Sequence, residues 1–173
     1  MLWYLLTQYI WICVIVHLIM LYMYLSKDVV ELGMPKQRWL YYLLSFTWGL
    51  PMNLVGAIVA GIIRCTGRKP KKWGWNWYFE LPVNFGMELG IFSIVPENPS
   101  ERIRNHEFGH SIQNIYLGPF TIGVVTIPSF VRFWTRELLA KLEVELKSNY
   151  DDIWFEGQAT LSGAKFMQEH KDN

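Results

Sequence analysis

His106-Glu107-Phe108-Gly109-His110 reads H-E-x-x-H, a spacing that assigns chemistry to three side chains at once. On a helix, positions four apart lie one above the other on the same face, so both imidazoles can grip one ion. Zinc hydrolases use such a histidine pair, add a third protein ligand and leave the fourth position to water. Glu107 lies beside the first ligand, where its carboxylate can take a proton from that water. The competing reading is an ordinary amphipathic helix with two histidines and a glutamate. With four histidines in 173 residues, meeting this spacing by accident should be on the order of one chain in several hundred. One divalent ion is therefore expected, and two imidazoles with a carboxylate suit Zn2+.

The third ligand should be His, Asp or Glu. Downstream of His110 stand Glu137, Glu143, Glu145, Asp151, Asp152, Glu156, Glu169, His170 and Asp172. Glu137, Glu143 and Glu145 alternate with Arg136, Lys141 and Lys147, the pattern of a solvated helix face. Asp151 and Asp152 fall at cap positions, and the last three acidic or imidazole groups lie on the tail. Glu156 sits in Ile153-Trp154-Phe155-Glu156-Gly157-Gln158-Ala159-Thr160, where a bare carboxylate among apolar and small neighbours is costly without a partner. Glu156 is favoured, against a partly exposed glutamate stabilised by the dipole of a helix start.

H-E-x-x-H followed on a later helix by Glu156-Gly157-Gln158-Ala159-Thr160 resembles the gluzincin zinc metallopeptidases. The layout is most similar to the membrane-bound branch that includes the CAAX prenyl proteases and HtpX-like peptidases. It is also similar to small uncharacterised bacterial membrane proteins with an H-E-[FY]-G-H-[ST]-I-Q segment. The resemblance covers roughly residues 87–168. It implies a membrane-anchored peptidase with His106, His110 and Glu156 on zinc, Glu107 as general base, and a peptide or protein substrate. The chain departs from the family's E-x-x-x-D pattern at Thr160, which stands where an Asp would orient a ligand, and Arg104 is unusual two residues before His106.

The elements that must position these groups are read from composition and pattern. Hydrophobic residues make up 51% of the chain, with nine Trp, nine Tyr and ten Phe, which is high for a soluble protein. The net charge of +1 gives no case for nucleic-acid binding. Cys13 and Cys65 lie in or at the end of apolar stretches and read as buried thiols. Residues 1–26 and 39–63 carry no Asp, Glu, Lys or Arg. Each run exceeds the roughly 20 residues that cross a bilayer as a helix, with Trp and Tyr near the ends. They predict an N-terminal two-helix transmembrane hairpin over 1–64 in a mainly α, multi-pass membrane protein. His17 in the first run reads either as a functional intramembrane group or as a neutral side chain bonded to the next helix. The cations after the second run outnumber those in the loop between the two, which places the H-E-x-x-H segment on the cytoplasmic side.

Residues 65–173 are expected to form a small α+β zincin-like domain. A lysine and tryptophan stretch, residues 71–78, suits either lipid headgroups or a strand with indoles turned inward. Short strands at 78–83 and 87–95 flank a turn at Asn84-Phe85-Gly86, and Pro82 would confine the first to a sheet edge. Ser100 is an N-cap for a helix over 101–116 that carries the motif. Residues 111–131 hold no charge but contain Gly118, Pro119, Gly123 and Pro128. A single crossing there would put Glu156 about 30 Å from both histidines, so the segment must re-enter, lie along the interface or pack as core. Helices are expected over 135–147 and 152–168. An extended substrate would align along a strand edge around 89–93. Tyr150, Arg132 and Arg136 are the candidate oxyanion donors, with none preferred. The rival function is a non-catalytic membrane protein with a structural or vestigial zinc site, docking as a subunit of a larger complex. The 109 residues beyond the hairpin leave little chain for a deep cleft, which favours that rival.

Overall fold

The computed structural model describes residues 29–170, together with Trp3, Thr7, Trp11 and Leu18. Apart from those four positions, the first expected span at 1–26 lies outside the described residues, and so do His17 and Cys13. The described chain forms five helices and a four-stranded sheet, an α+β fold. This corrects the expected mainly α membrane protein with a transmembrane hairpin: among the described residues no single helix is long and apolar enough to cross a bilayer.

The uncharged run 39–63 divides into α1 (Arg38–Phe46) and α2 (Leu50–Cys65), which meet at a bend of 89°. Pro51 causes the break. It has no N–H to donate, and its ring would collide with the carbonyl four residues earlier in a continuous helix. The 16 residues of α2 span about 24 Å, short of the roughly 30 Å of a hydrocarbon core. Asn53 fastens the corner. Its amide donates to the Ser45 and Gly49 carbonyls at 2.8 and 3.1 Å, and its Oδ1 accepts from the Ile91 N–H at 2.8 Å. Met52, Asn53, Gly56, Ala60 and Ile63 form the buried face of α2, while Leu54, Ile58 and Ile62 are exposed. Cys65 is exposed, not a buried thiol.

The sheet comprises β1 (Lys71–Trp73), β2 (Asn76–Leu81), β3 (Met87–Leu89) and β4 (Phe92–Pro96), in the order β1-β2-β4-β3. The expected single strand over 87–95 instead folds on itself into β3 and β4, with Gly90 at φ +75° in the turn. A side chain at Gly90 would meet Asn53 as well as the left-handed penalty, so glycine is required there. β2 then pairs parallel with β4 and is interior, and Pro82 falls just past its end instead of marking an edge. The indoles mostly turn to protein. Trp75 packs edge-on against Phe166 at 4.9 Å between centroids, and Trp73 Nε1 donates to Asn105 Oδ1 at 2.9 Å. Arg104, the unusual cation before the motif, lies 4.0 Å over the Trp73 ring.

α3 (Glu101–Leu117) starts at Ser100, whose hydroxyl accepts from the Ile103 N–H at 3.3 Å. Residues Glu107 to Ile115 are all buried, so α3 is the central helix and not an amphipathic surface one. The uncharged segment 111–131 turns back on itself. After Gly118, at φ +55°, come a 3-10 turn (Gly118–Phe120), a π turn (Ile122–Thr126) and α4 (Ile127–Lys141), bent by 116° from α3. Val124 and Val125 of that turn pack on Trp154 and Phe155 as core. α4 therefore begins and ends earlier than the helix expected over 135–147. α5 (Trp154–Glu169) follows a turn at Tyr150–Asp152 closed by reciprocal Asn149 and Asp152 caps. α3 and α5 cross closely: a Cβ on Gly109 would strike the Ala159 carbonyl, and one on Gly163 the Asn105 carbonyl.

Candidate metal centre

The α3–α5 crossing sets the site. Gly109 precedes His110 and Ala159 is three residues after Glu156, so the contact that brings the backbones together also brings the side chains together. His106 Nε2 lies 3.0 Å from Glu156 Oε2, His110 Nε2 lies 3.3 Å from it, and the two Nε2 atoms are 3.1 Å apart. Three ligands on a tetrahedral zinc with bonds of 2.0–2.1 Å would be about 3.3 Å from one another. The spacing fits that ion closely. Glu156 is fully buried, and neither of its oxygens accepts a hydrogen bond among the described residues. A carboxylate so placed is costly without a partner.

The hydrogen-bond network also determines which imidazole nitrogen is free. The Phe155 and Val30 carbonyls can only accept. Gln158 Nε2 donates to Val30 O at 2.6 Å, which turns Gln158 Oε1 toward Gln113. Gln113 Nε2 donates to Phe155 O at 2.7 Å and to Gln158 Oε1 at 3.0 Å, which turns Gln113 Oε1 toward His110 Nδ1 at 2.7 Å. That nitrogen must therefore carry a proton, which leaves Nε2 as the nitrogen turned toward Glu156 and free to take an ion. His106 is handled by a different route. Thr160 Oγ1 donates to Asp151 Oδ2 at 3.2 Å, so it accepts from His106 Nδ1 at 2.7 Å. Thr160 thus orients the His106 ring through its hydroxyl, which Asp151 in turn holds. Both imidazoles thus bond outward through Nδ1, and their Nε2 atoms and Glu156 Oε2 converge on one point, an arrangement that suits a cation.

Without an ion, the Glu156 carboxylate draws a proton onto His110. Burial alone would lower its pKa, but Glu156 lifts it to about 9, so a proton takes the place between them that a metal would displace. Burial works to raise Glu156, yet the two imidazoles hold it below the usual carboxylate range. Glu107 is buried beside the pair; loss of water pushes its carboxyl up, opposed by both histidines. Gly86 makes room for it, because a Cβ there would overlap Glu107 Oε1.

His106, Glu107 and His110 line a cavity of about 440 Å³, closed in part by the β3 region and α4. The expected strand edge at 89–93 is corrected: β4 is interior and β3 (Met87–Leu89) is the outer strand, with Met87 and Glu88 on the cavity. Of the three oxyanion candidates, Tyr150 lines the cavity and its hydroxyl is 3.3 Å from Ser129 Oγ. Arg132 instead donates to the Asn149 and Tyr150 carbonyls, and Arg136 to the Ser148 carbonyl. Glu137 lies 3.4 Å from Asn84 and Asp152 caps the turn before α5, so neither joins the cluster.

Sequence reasoning missed Gln113, Gln158 and Asp151. Gln113 was detectable in principle, since it follows His110 by three on the same helix face. Gln158 and Asp151 had no local signal, because their partners lie 45 and 9 residues away. Glu88 was also missed. It is buried with Oε1 unpartnered among the described residues, and desolvation raises its carboxyl to about 8. No protein-family model, curated protein or solved structure matches the chain.

Proposed function

We propose that this chain is a zinc-dependent metallopeptidase of the gluzincin type, hydrolysing bonds in a peptide or protein substrate. The observation that carries the reading is the convergence of His106 Nε2, His110 Nε2 and Glu156 Oε2, with both imidazoles bonded outward through Nδ1, at a cavity that Glu107 also lines. His106, His110 and Glu156 would hold a zinc ion, which would supply Lewis acidity to a water and a substrate carbonyl. Glu107 takes one proton from the attacking water as the water's oxygen bonds to the carbonyl carbon. The C–N bond then breaks, and the amine leaves with the proton Glu107 carried, so one water is divided between the two products. Tyr150 is the hydroxyl on the cavity wall suited to donate to the carbonyl oxygen as charge gathers there. The outer strand β3 offers main-chain groups to an extended peptide.

The test is reconstitution with zinc followed by a casein cleavage assay. Stoichiometric zinc and cleavage that a chelator abolishes and added zinc restores are expected. Zinc without cleavage would overturn the hydrolase and leave a structural metal site; absence of zinc binding would overturn both. The tautomer network makes its own prediction. Gln113→Leu removes the His110 acceptor and is expected to weaken zinc affinity roughly 10- to 100-fold, read by competition with a chromogenic chelator. Unchanged affinity would mean that Gln113 does not orient the ligand.

A further inference from the structure

One part of the cavity wall is built from aromatic rings that the hydrolytic chemistry does not use. α4 contributes Phe130, Phe133 and Trp134, and the turn before β3 contributes Phe85. Phe85 is 5.7 Å from Phe133 and 6.4 Å from Trp134 between ring centroids; Trp134 is 5.5 Å from Phe133 and 6.1 Å from Phe130. The cluster reaches the site directly, because Phe85 adjoins Gly86, whose backbone rests against the Glu107 carboxylate. No residue of α4 is buried, and Phe130 and Trp134 remain 52% and 45% exposed. Exposed ring surface forfeits about 25 cal/mol for each Å² that burial would remove from water. These rings therefore border a void that an apolar group would fill.

We infer that this face is a subsite for a bulky apolar side chain, aromatic or long aliphatic, flanking the bond that is cut. The inference rests on the peptidase reading and adds the substrate class to it. A small side chain would leave the rings without contacting atoms. An acidic one would lose hydration with no free cation to replace it, since Arg102, the one lysine or arginine lining the cavity among the described residues, is already held by Asp151 at 2.7 Å. An aromatic side chain would gain edge or offset contacts with rings already spaced for them.

Two readouts separate this inference from the reading beneath it. The first is calorimetric binding of the hydroxamates of phenylalanine, leucine, glycine and aspartate to the zinc-loaded chain. The second is mass-spectrometric mapping of cleavage in a random peptide pool. Phenylalanine and leucine hydroxamates should bind more than about tenfold more tightly than the other two, and cleavage should concentrate beside the same residues. The double variant Phe133→Ala/Trp134→Ala, checked for folding by circular dichroism and for zinc content, should compress the binding ratio to within about threefold. If the variant does not fold, the wild-type ratio decides. Preference for rings in binding with no cleavage anywhere would sustain the subsite and sink the peptidase. Indifference to side-chain bulk, in binding or in cleavage, would overturn the subsite and leave the peptidase standing.

Discussion

Glu107→Gln is expected to lower kcat/KM roughly 10³-fold while zinc content stays unchanged. Glutamine has nearly the same shape, so the fit of residue 107 against Gly86 survives, and residue 107 is not among the three converging ligand atoms. An amide cannot take the proton that the carboxylate takes, and this is the difference the assay reads. His110→Ala should behave otherwise and lose metal and activity together, because it removes an atom 3.3 Å from Glu156 Oε2. Peptide turnover and elemental analysis on the same preparations separate the two cases. Wild-type turnover in Glu107→Gln would remove Glu107 from the reaction and take the proposed mechanism with it.

A comparable loss is expected from a single methyl group at the α3–α5 crossing. Gly109→Ala drives a Cβ into the Ala159 carbonyl, a backbone atom that cannot rotate away. The helices must part, at a cost of about 3 kcal/mol in stability, and Glu156 moves away from both imidazoles as they do. Zinc binding should therefore fail even where circular dichroism still shows the fold. Alanine at an unobstructed helix position does the opposite. At Gly61, inside α2 with nothing within 4 Å of the added carbon, it should stabilise by about 0.5 kcal/mol. Urea unfolding of both variants checks the pair. A stabilising Gly109→Ala would mean that the α3–α5 crossing is looser than described, and the metal geometry would lose its support.

Much of the local structure around the site was legible from residue order. Ser100 begins α3 as its capping pattern requires, Gly118 ends it, and the i, i+4 spacing of His106 and His110 places their rings on one face, edge to face at 4.7 Å. Glu156 was singled out by its apolar setting, and the carboxylate does reach both imidazoles. The misreading was of scale. Residues 39–63 are apolar enough to suggest a span, but Pro51 and the period of their buried positions bend and pack them. The buried stripe Met52, Gly56, Ala60 and Ile63, with Asn53 beside it, belongs to a helix packed against a sheet.

The strand arrangement was misread for a different reason. Residues 87–95 look like one strand because Ile91, Phe92, Ile94 and Val95 favour extended backbone, and the turn at Gly90-Ile91 is secured by Asn53, more than thirty residues upstream. The parallel pairing of β2 with β4 likewise has no local signature. Residue order was enough for what passes through neighbouring turns of one helix: the two imidazoles on a shared face, the adjacent carboxylate, the cap. Only the folded chain decided which carboxylate closes the cluster, how Gln113 and Thr160 orient the rings, and which strand lies on the outside. The metal cluster depends on backbones approaching at Gly109 and Gly163, and the strand order on the distant Asn53 contact, and no helical period expresses either.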